Sequence, residues 1–259
     1  GYFTQPAAAG VIFFDEINLA APTVAGQAYE IILARTVADR KVAQEVLLVA
    51  AGNRATDRAF TFEMPSPLRD RFNEIELQPD VKSWTKWASD HGINPHLISF
   101  VNWKDMYLFT LDKVKNGEKG SSPRSIARAS TLIGDDEISS NMVRKYITAS
   151  CGSAFAIEFQ AYMKYYKELN WSTLLENPET VCGFSVDKCW AVAGGIVERF
   201  NRDTKLFDKL LAIVGNMKKD FAIVSLKMLC NNNAEKFRKA VKDSTMFPKL
   251  AKEYGKYLL

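Results

Sequence analysis

The succession of apolar and polar stretches predicts two β-strands near the start of the chain. Val11–Phe14 runs directly into the adjacent carboxylates Asp15 and Glu16, and Val46–Ala51 runs into a polar segment that contains Asn53. Short, continuous apolar runs of this kind are typical of strands that are buried on both faces. The sequence therefore predicts two buried strands, each followed at once by polar side chains.

The residues between the two strands have the spacing of a helix. Pro22 suits its first turn, and the apolar residues that follow at helical spacing are Val24, Ala28, Ile31 and Ile32. A strand–helix–strand crossover makes its two strands parallel neighbours, so Asn53 is expected at the same sheet edge as Asp15 and Glu16. Open α/β sheets bind ligands at that edge, although an acidic loop after an ordinary core strand is the alternative interpretation.

A short helix punctuated by prolines is predicted over Met64–Phe72. A strand is predicted over Glu74–Leu77, where acidic and apolar residues alternate, and Pro79 ends it. Arg71 is therefore expected at the junction between a helix and a strand.

Helical signals dominate after this strand. Ser83 is predicted to cap a helix that ends at Gly92, and Asn94-Pro95 to begin the next one. The tryptophans in the first of these helices have a spacing more typical of core packing than of a platform for stacked bases. From residue 141 onward, apolar residues recur at steps of three and four, which predicts a helical bundle.

One arginine is expected at the beginning of a helix. Ser122 fits the N-cap and Pro123 the first helical position, which places Arg124 in the first turn of a helix that ends near Ile133. A guanidinium beside a helix N-terminus is a candidate anion site, although a solvated arginine is the alternative.

Composition and charge restrict the class of protein. The chain has 259 residues, of which 47% are hydrophobic and 25% charged, as in globular proteins. No apolar run approaches the roughly 18–20 residues of a membrane-spanning helix, and there is no signal-peptide pattern, so we expect a cytoplasmic protein without a membrane partner. The four cysteines lack the paired spacing of a zinc site and are expected to be reduced, mostly buried thiols.

The distribution of charge argues against nucleic acid as a partner. The net charge of +4 comes from residues 151–259, where 17 basic residues stand against 12 acidic ones. These lysines are spread along the predicted helices, which is typical of a solvated face. Separately, the chain begins with Gly1 rather than Met and reaches its first strand after ten residues, so we expect it to be a piece of a longer protein.

Four motifs together resemble those of AAA+ ATPases. Val11–Glu16 resembles a Walker B strand, Ala50–Arg54 a sensor 1, Met64–Phe72 the segment that carries an arginine finger, and Pro123–Ser125 a sensor 2. They occur in the order found in that family, and the wording Phe-Phe-Asp-Glu-Ile-Asn-Leu-Ala with Ala-Ala-Gly-Asn-Arg resembles the MoxR-like branch. The resemblance covers about residues 10–133, and the remainder resembles the helical end of these proteins only loosely.

The resemblance implies a fold and a domain division. The expected fold class is α/β followed by all-α: part of a P-loop-type parallel sheet core, then a helical lid and a C-terminal helical bundle. Residues 1–79 would form the C-terminal part of the core, residues 80–150 the lid with sensor 2, and residues 151–259 the C-terminal helical region.

The resemblance also implies ATP as substrate, Mg²⁺ as cofactor and a role for each site residue. Asp15 would orient Mg²⁺ through its water shell, Glu16 would polarise the attacking water, and Asn53 would hold that water or a γ-phosphate oxygen. Arg124 would contact the γ-phosphate from the lid of the same subunit. Arg71 would reach into the site of the next subunit in a homo-oligomer, expected to be a hexameric ring, and Arg69 competes for this role.

One departure from the family pattern is large. No Gly-x-x-x-x-Gly-Lys-Ser/Thr sequence occurs in these 259 residues, so the loop that cradles the phosphates is absent from them. The first interpretation is therefore a fragment of a MoxR-like ATPase that remodels or matures partner proteins and is inactive alone. The second is a non-catalytic binding module or degenerate subunit. A helicase or McrB-like motor is a third, which depends only on the mildly basic C-terminal part.

Overall fold

The chain divides into two compact units, Gly1–Gln78 and Pro79–Leu259. The structure is a computed structural model, which describes residues 4–5, 9–54, 62, 64–114, 117–134 and 140–257. The described part of the first unit contains two two-stranded sheets and two helices, and the described part of the second is helical. An α/β segment followed by a helical region is thus confirmed as the coarse architecture.

The first unit is a strand–helix–strand arrangement with a hairpin inserted before its second long strand. Its elements are β1 (Gly10–Phe14), α1 (Pro22–Ala34), β2 (Thr36–Val37), β3 (Arg40–Lys41), β4 (Val46–Ala50) and α2 (Ser66–Arg69). β1 and β4 pair in parallel, with Gly10 opposite Val46 and Phe14 opposite Ala50. The predicted helix and the parallel adjacency of the two strands are therefore confirmed.

The prediction that these strands are buried on both faces is wrong for one face. Ile32 of α1 and Leu68 of α2 form a small core with Phe14 and Ala50, which covers one side of the sheet. On the other side, the exposed fractions are 54% for Val11, 56% for Phe13 and 60% for Leu47. The reason is that no described element of this unit packs on that side, and a parallel sheet is buried on both faces only where elements cover both.

The predicted strand over Glu74–Leu77 is also absent. These residues form no ladder with any described segment, and the side chains of Ile75 and Leu77 are 81% and 88% exposed. Alternation of apolar and polar residues stabilises a strand only when a neighbouring strand accepts its hydrogen bonds. Arg71 consequently follows the end of α2, and the described residues after it contain no strand.

The second unit consists of helices around one continuous core. They are α3 (Val81–Asp90), α4 (Pro95–Trp103), α5 (Pro123–Ile133), α6 (Ser140–Cys151), α7 (Ser153–Lys167), α8 (Trp171–Glu176), α9 (Val186–Arg202), α10 (Phe207–Gly215), α11 (Lys219–Asn232), α12 (Ala234–Asp243) and α13 (Phe247–Tyr254). Buried side chains from Trp84 to Tyr254 belong to the same core, so the described parts of residues 80–150 and 151–259 pack together. None of the described helices has the length and apolarity that crossing a bilayer requires.

Helix caps follow local sequence, with one correction. Asn94 caps α4 as predicted, since its Oδ1 accepts a hydrogen bond from the His96 amide at 2.9 Å. For α3 the cap is Asp80, whose Oδ2 accepts from the amide of Ser83 at 2.7 Å. The prediction of Ser83 as the cap is therefore wrong, because the Asp80 side chain accepts from the Ser83 amide and makes Ser83 the third residue of the helix. Core packing is confirmed for Trp84, which is buried, but is wrong for Trp87, which is 42% exposed and stacks on His91.

The four cysteines are all free thiols, and most of them are shielded from solvent. Cys151 and Cys189 are buried, Cys230 is half-buried and Cys182 is exposed. Burial raises the pKa of Cys151 and of Cys230 to about 11. The prediction of buried thiols is therefore confirmed for Cys151 and Cys189, partly met by Cys230 and wrong for Cys182.

A polar cluster joins α4, α7 and α9 inside this core. His96 contacts the Tyr162 hydroxyl through Nδ1 at 3.1 Å and Glu198 Oε2 through Nε2 at 3.0 Å. Burial alone would raise the pKa of Glu198, but the hydrogen bonds and charges of His96, Tyr166 and Arg202 lower it to about 2. The ionised carboxylate is thus fully paired, which is what a buried charge requires.

Two consecutive glycines allow α9 to approach its neighbours closely. A Cβ on Gly194 would lie 2.6 Å from the Tyr162 hydroxyl, and a Cβ on Gly195 would lie 2.3 Å from Cζ2 of Trp171. The second distance is far shorter than a van der Waals contact, and the atom that this Cβ would meet belongs to the rigid ring of Trp171.

Substitution Gly195→Ala should therefore destabilise the helical unit by about 3 kcal/mol, since overpacking forces the Trp171 ring or the helix to move. The expected fall in Tm is about 6–12 °C. Thermal unfolding followed by circular dichroism measures it. Gly183→Ala is the matched control, because a Cβ there meets no atom within 4 Å. Equal Tm values for the two variants would contradict the close approach.

Candidate functional site

The loops that follow β1 and β4 are joined beyond the ends of the strands. The Ala51 amide donates to the carbonyl of Phe14 at 2.9 Å, and the Ile17 amide donates to the carbonyl of Ala51 at 2.9 Å. These bonds continue the parallel pairing past Ala50. Asp15, Glu16 and the segment leading to Asn53 therefore lie at one edge of the sheet, as the sequence predicts.

Asn18 makes a second connection at this edge. Its Nδ2 donates to the carbonyl oxygen of Asn53 at 2.6 Å, and its Oδ1 accepts from the Asn53 amide at 3.1 Å. Sequence reasoning missed this residue. The available signal was a short side chain with both a donor and an acceptor, placed two residues after the acidic pair.

Gly52 leaves the space that this connection needs. A Cβ at Gly52 would lie 2.7 Å from Oδ1 of Asn18 and 3.1 Å from its Cγ. Any side chain at this position would displace the Asn18 amide from the Asn53 backbone. A glycine directly before Asn53 is therefore part of the site, because only glycine permits this close approach.

Glu16 adopts an uncommon backbone conformation. Its φ angle is 52°, in the left-handed region, and its carbonyl accepts a hydrogen bond from the Leu19 amide at 2.9 Å. For a residue other than glycine, this conformation costs roughly 1–2 kcal/mol. Both Asp15 and Glu16 are exposed at the sheet edge. Such conformations cluster at active sites, where the gain is functional rather than structural.

Substitution Glu16→Gly should stabilise the first unit by about 1 kcal/mol, because glycine adopts the left-handed conformation without steric strain. The side chain of Glu16 makes no hydrogen bond with the described residues, so little is lost on its removal. Urea unfolding of the protein measures the change. Glu45→Gly is the comparison, since Glu45 is exposed and its φ is not positive, and it should destabilise. Destabilisation by Glu16→Gly would show that Glu16 supports the fold.

The donor set at this edge suits a magnesium ion held mainly by water and phosphate. Mg²⁺ usually keeps several waters and binds one or two carboxylates together with substrate phosphates. Asp15 supplies one exposed carboxylate, and the described residues contain no group of three or more His, Cys, Asp and Glu side chains that could enclose a metal. An all-protein cage is therefore not what these residues form, and a single carboxylate acting with a nucleotide fits.

Arg71 and Arg69 have different surroundings. The guanidinium of Arg69 pairs with Glu74 through two bonds, Nε to Oε1 at 3.0 Å and Nη2 to Oε2 at 3.2 Å. The guanidinium of Arg71 is exposed and makes no hydrogen bond or ion pair with the residues that the structure describes. It lines an open groove with Val46 and Leu48, in the first half of β4. Arg71 thus has no interaction with the acidic pair of its own chain.

Arg124 belongs to the helical unit and lies in the first turn of α5, as predicted. Ser122 caps the helix: its Oγ accepts from the Ser125 amide at 3.2 Å, and the Ser122 amide donates to Oγ of Ser125 at 2.8 Å. Arg124 is exposed and forms no ion pair with another described residue. Its charge is therefore available at the beginning of a capped helix.

The sheet edge thus combines two exposed carboxylates, one of them on a strained backbone, with an asparagine held by an amide pair. This arrangement can orient a hydrated cation and accept a proton from a water molecule. Arg71 and Arg124 supply exposed cationic groups elsewhere. Comparisons of the chain with protein-family models, with curated proteins and with solved structures found no match.

Proposed function

We propose that the chain is part of an AAA+ ATPase of the MoxR-like kind, which hydrolyses ATP and uses the energy to remodel or mature partner proteins. The observation that carries the proposal is the junction beyond β1 and β4. There, parallel pairing places Asp15, Glu16 and Asn53 at one edge, with Glu16 held in a left-handed conformation. Open α/β sheets bind their ligands at this edge.

Each residue at the sheet edge has a separate role in the proposed reaction. When bound, Mg²⁺ neutralises charge on the β- and γ-phosphates of ATP. Asp15 would hold the cation, and Asn53 would orient the attacking water. Glu16 accepts a proton from that water as its oxygen attacks the γ-phosphorus, and the bond from the γ-phosphorus to the β-phosphate oxygen breaks, releasing ADP and inorganic phosphate. Preorganised groups of this kind act chiefly by position and charge.

Two exposed arginines are the cationic candidates of the proposal. Arg124, in the first turn of α5, is the residue that the resemblance to AAA+ ATPases assigns to the γ-phosphate. Arg71 inserts into the site of the neighbouring subunit in a homo-oligomeric ring, which we expect to be hexameric. The guanidinium of Arg71 pairs with no described residue, whereas that of Arg69 pairs with Glu74, and this difference supports Arg71 as the finger.

The loop that would bind the phosphates is not among these 259 residues. They contain no Gly-x-x-x-x-Gly-Lys-Ser/Thr loop, whose backbone amides and lysine hold the β- and γ-phosphates. The chain alone is therefore expected to bind ATP weakly. A second function, a non-catalytic module that lends Arg71 to a neighbour, follows if no such loop belongs to the full-length protein.

The test is ATP hydrolysis by the full-length protein, measured as phosphate release with and without Mg²⁺. We expect Mg²⁺-dependent turnover, and Asp15→Asn should reduce it by about 10–100-fold, the usual effect of losing an outer-sphere partner of a metal. Asp39→Asn is the matched control, because Asp39 is an exposed acid in the β2–β3 hairpin. A full-length protein without a phosphate loop and without turnover would favour the binding module. Turnover that requires nucleic acid would favour the helicase or McrB-like motor.

A further inference from the structure

We propose that Asn18 is a positioning residue, which fixes Asn53 at the sheet edge and thereby controls the rate of ATP turnover. This inference rests on the proposed function and adds a residue to that site. It is carried by the pair of hydrogen bonds between the Asn18 side chain and the backbone of Asn53.

Beyond the ends of the strands, the side-chain amide of Asn18 makes hydrogen bonds that a neighbouring strand would otherwise make. The Ile17 amide donates to the Ala51 carbonyl at 2.9 Å, just beyond the paired strands. Two residues further on, Asn53 bonds to no backbone group of the described residues, and the Asn18 side chain both donates to its carbonyl and accepts from its amide. Two bonds to one residue restrict its backbone dihedrals, and so the direction of its side chain.

Asn18 is itself held on both sides. Its carbonyl accepts a hydrogen bond from the Phe62 amide at 2.8 Å, and the preceding residue, Ile17, is 7% exposed and packs in the small core. Gly52 leaves room for its amide, as described above. The connection therefore runs from the packed Ile17 through the neighbouring Asn18 to Asn53.

The chemistry of this position favours asparagine over similar residues. Aspartate could accept from the Asn53 amide, but its second oxygen would face the Asn53 carbonyl and repel it. Alanine would leave both backbone groups of Asn53 to water. A residue that served only for packing would not need a side chain that carries both a hydrogen-bond donor and an acceptor.

The expected effect is on kcat rather than on KM for ATP. A displacement of about 1 Å in a group that orients a reactant can reduce the rate by about 10²-fold. Asn18→Ala in the full-length protein should therefore reduce kcat by roughly 10–100-fold. The KM should change little, because the phosphate grip is supplied elsewhere. Asn73→Ala is the control, since Asn73 is exposed in the same unit and makes no hydrogen bond with the described residues.

Amide hydrogen exchange tests the connection without reference to activity. In Asn18→Ala the Asn53 amide should exchange about tenfold faster, which corresponds to the loss of one hydrogen bond. The Ala51 amide, bonded to the Phe14 carbonyl, should exchange at an unchanged rate. Asn18→Asp should preserve protection of the Asn53 amide, because it retains the acceptor, while still reducing kcat.

Several outcomes would overturn the inference. If the wild-type protein hydrolyses ATP and Asn18→Ala does so equally fast, Asn18 does not position the site. If the Ala51 and Asn53 amides both lose protection, Asn18 supports the fold in general. A wild-type protein without ATP turnover would remove the proposed function. In that case the exchange rate of the Asn53 amide in Asn18→Ala still shows whether Asn18 holds Asn53. Unchanged protection of that amide would overturn this part of the inference as well.

Discussion

Glu16→Gln in the full-length protein is expected to reduce ATP turnover by about 10²–10⁴-fold, the usual contribution of a general base, and to leave ATP binding intact. Glutamine has the shape of glutamate but cannot accept the proton of the attacking water. Because Glu16 makes no hydrogen bond with the described residues, the exchange of one oxygen for nitrogen should not disturb the fold. The variant should therefore bind ATP and fail to cleave it.

Single-turnover phosphate release measures the chemical step, and calorimetry with ATP and Mg²⁺ measures binding. Glu30→Gln is the matched control, since Glu30 is an exposed carboxylate on α1. Undiminished turnover in Glu16→Gln would refute the assignment of the base. A loss of binding together with turnover would instead assign Glu16 to the nucleotide pocket.

Arg71→Ala is expected to reduce turnover by about 10³–10⁵-fold, the range measured where an arginine finger comes from a partner. The guanidinium stabilises charge on the transferred phosphoryl group, and alanine leaves that charge uncompensated. Arg69→Ala should have a much smaller effect, because Arg69 already pairs with Glu74. Steady-state ATPase assays compare the two variants.

Mixed assemblies show whether the finger acts between subunits. Neither Glu16→Gln nor Arg71→Ala protein should turn over alone. When they are mixed, some interfaces combine an intact Glu16 from one subunit with an intact Arg71 from the next, so activity should return. Mixed oligomers that form without recovery of activity would show that Arg71 does not act across an interface.

The elements that could be predicted from the sequence depend on short-range signals. Pro22 and the apolar spacing after it define α1, and Ser122 with Pro123 defines the start of α5. The parallel pairing of β1 with β4 followed from the strand–helix–strand connection, because a crossover helix returns the chain to the end of the sheet at which the first strand began. Once the two strands are parallel neighbours, Asp15, Glu16 and Asn53 are expected at the same edge of the sheet.

Predictions failed where a distant partner decides the outcome. Glu74–Leu77 has the alternation of a strand, but a strand forms only when another segment accepts its hydrogen bonds. Val11 and Phe13 read as buried, but burial depends on an element that packs over that face. For α3, Asp80 and Ser83 are about equally good caps by residue type, so the choice between them depends on where the helical backbone begins.

The sequence by itself determined the order of the elements, the helix starts and the placement of two carboxylates and an asparagine after parallel strands. These features depend on the spacing of apolar residues, on proline geometry and on the strand–helix–strand connection, and each of these can be recognised within a short stretch of sequence. Only the tertiary structure decided that Asn18 holds Asn53, that Gly52 makes room for it, and that Glu16 is left-handed. These features depend on contacts and backbone angles between residues whose approach no local preference specifies.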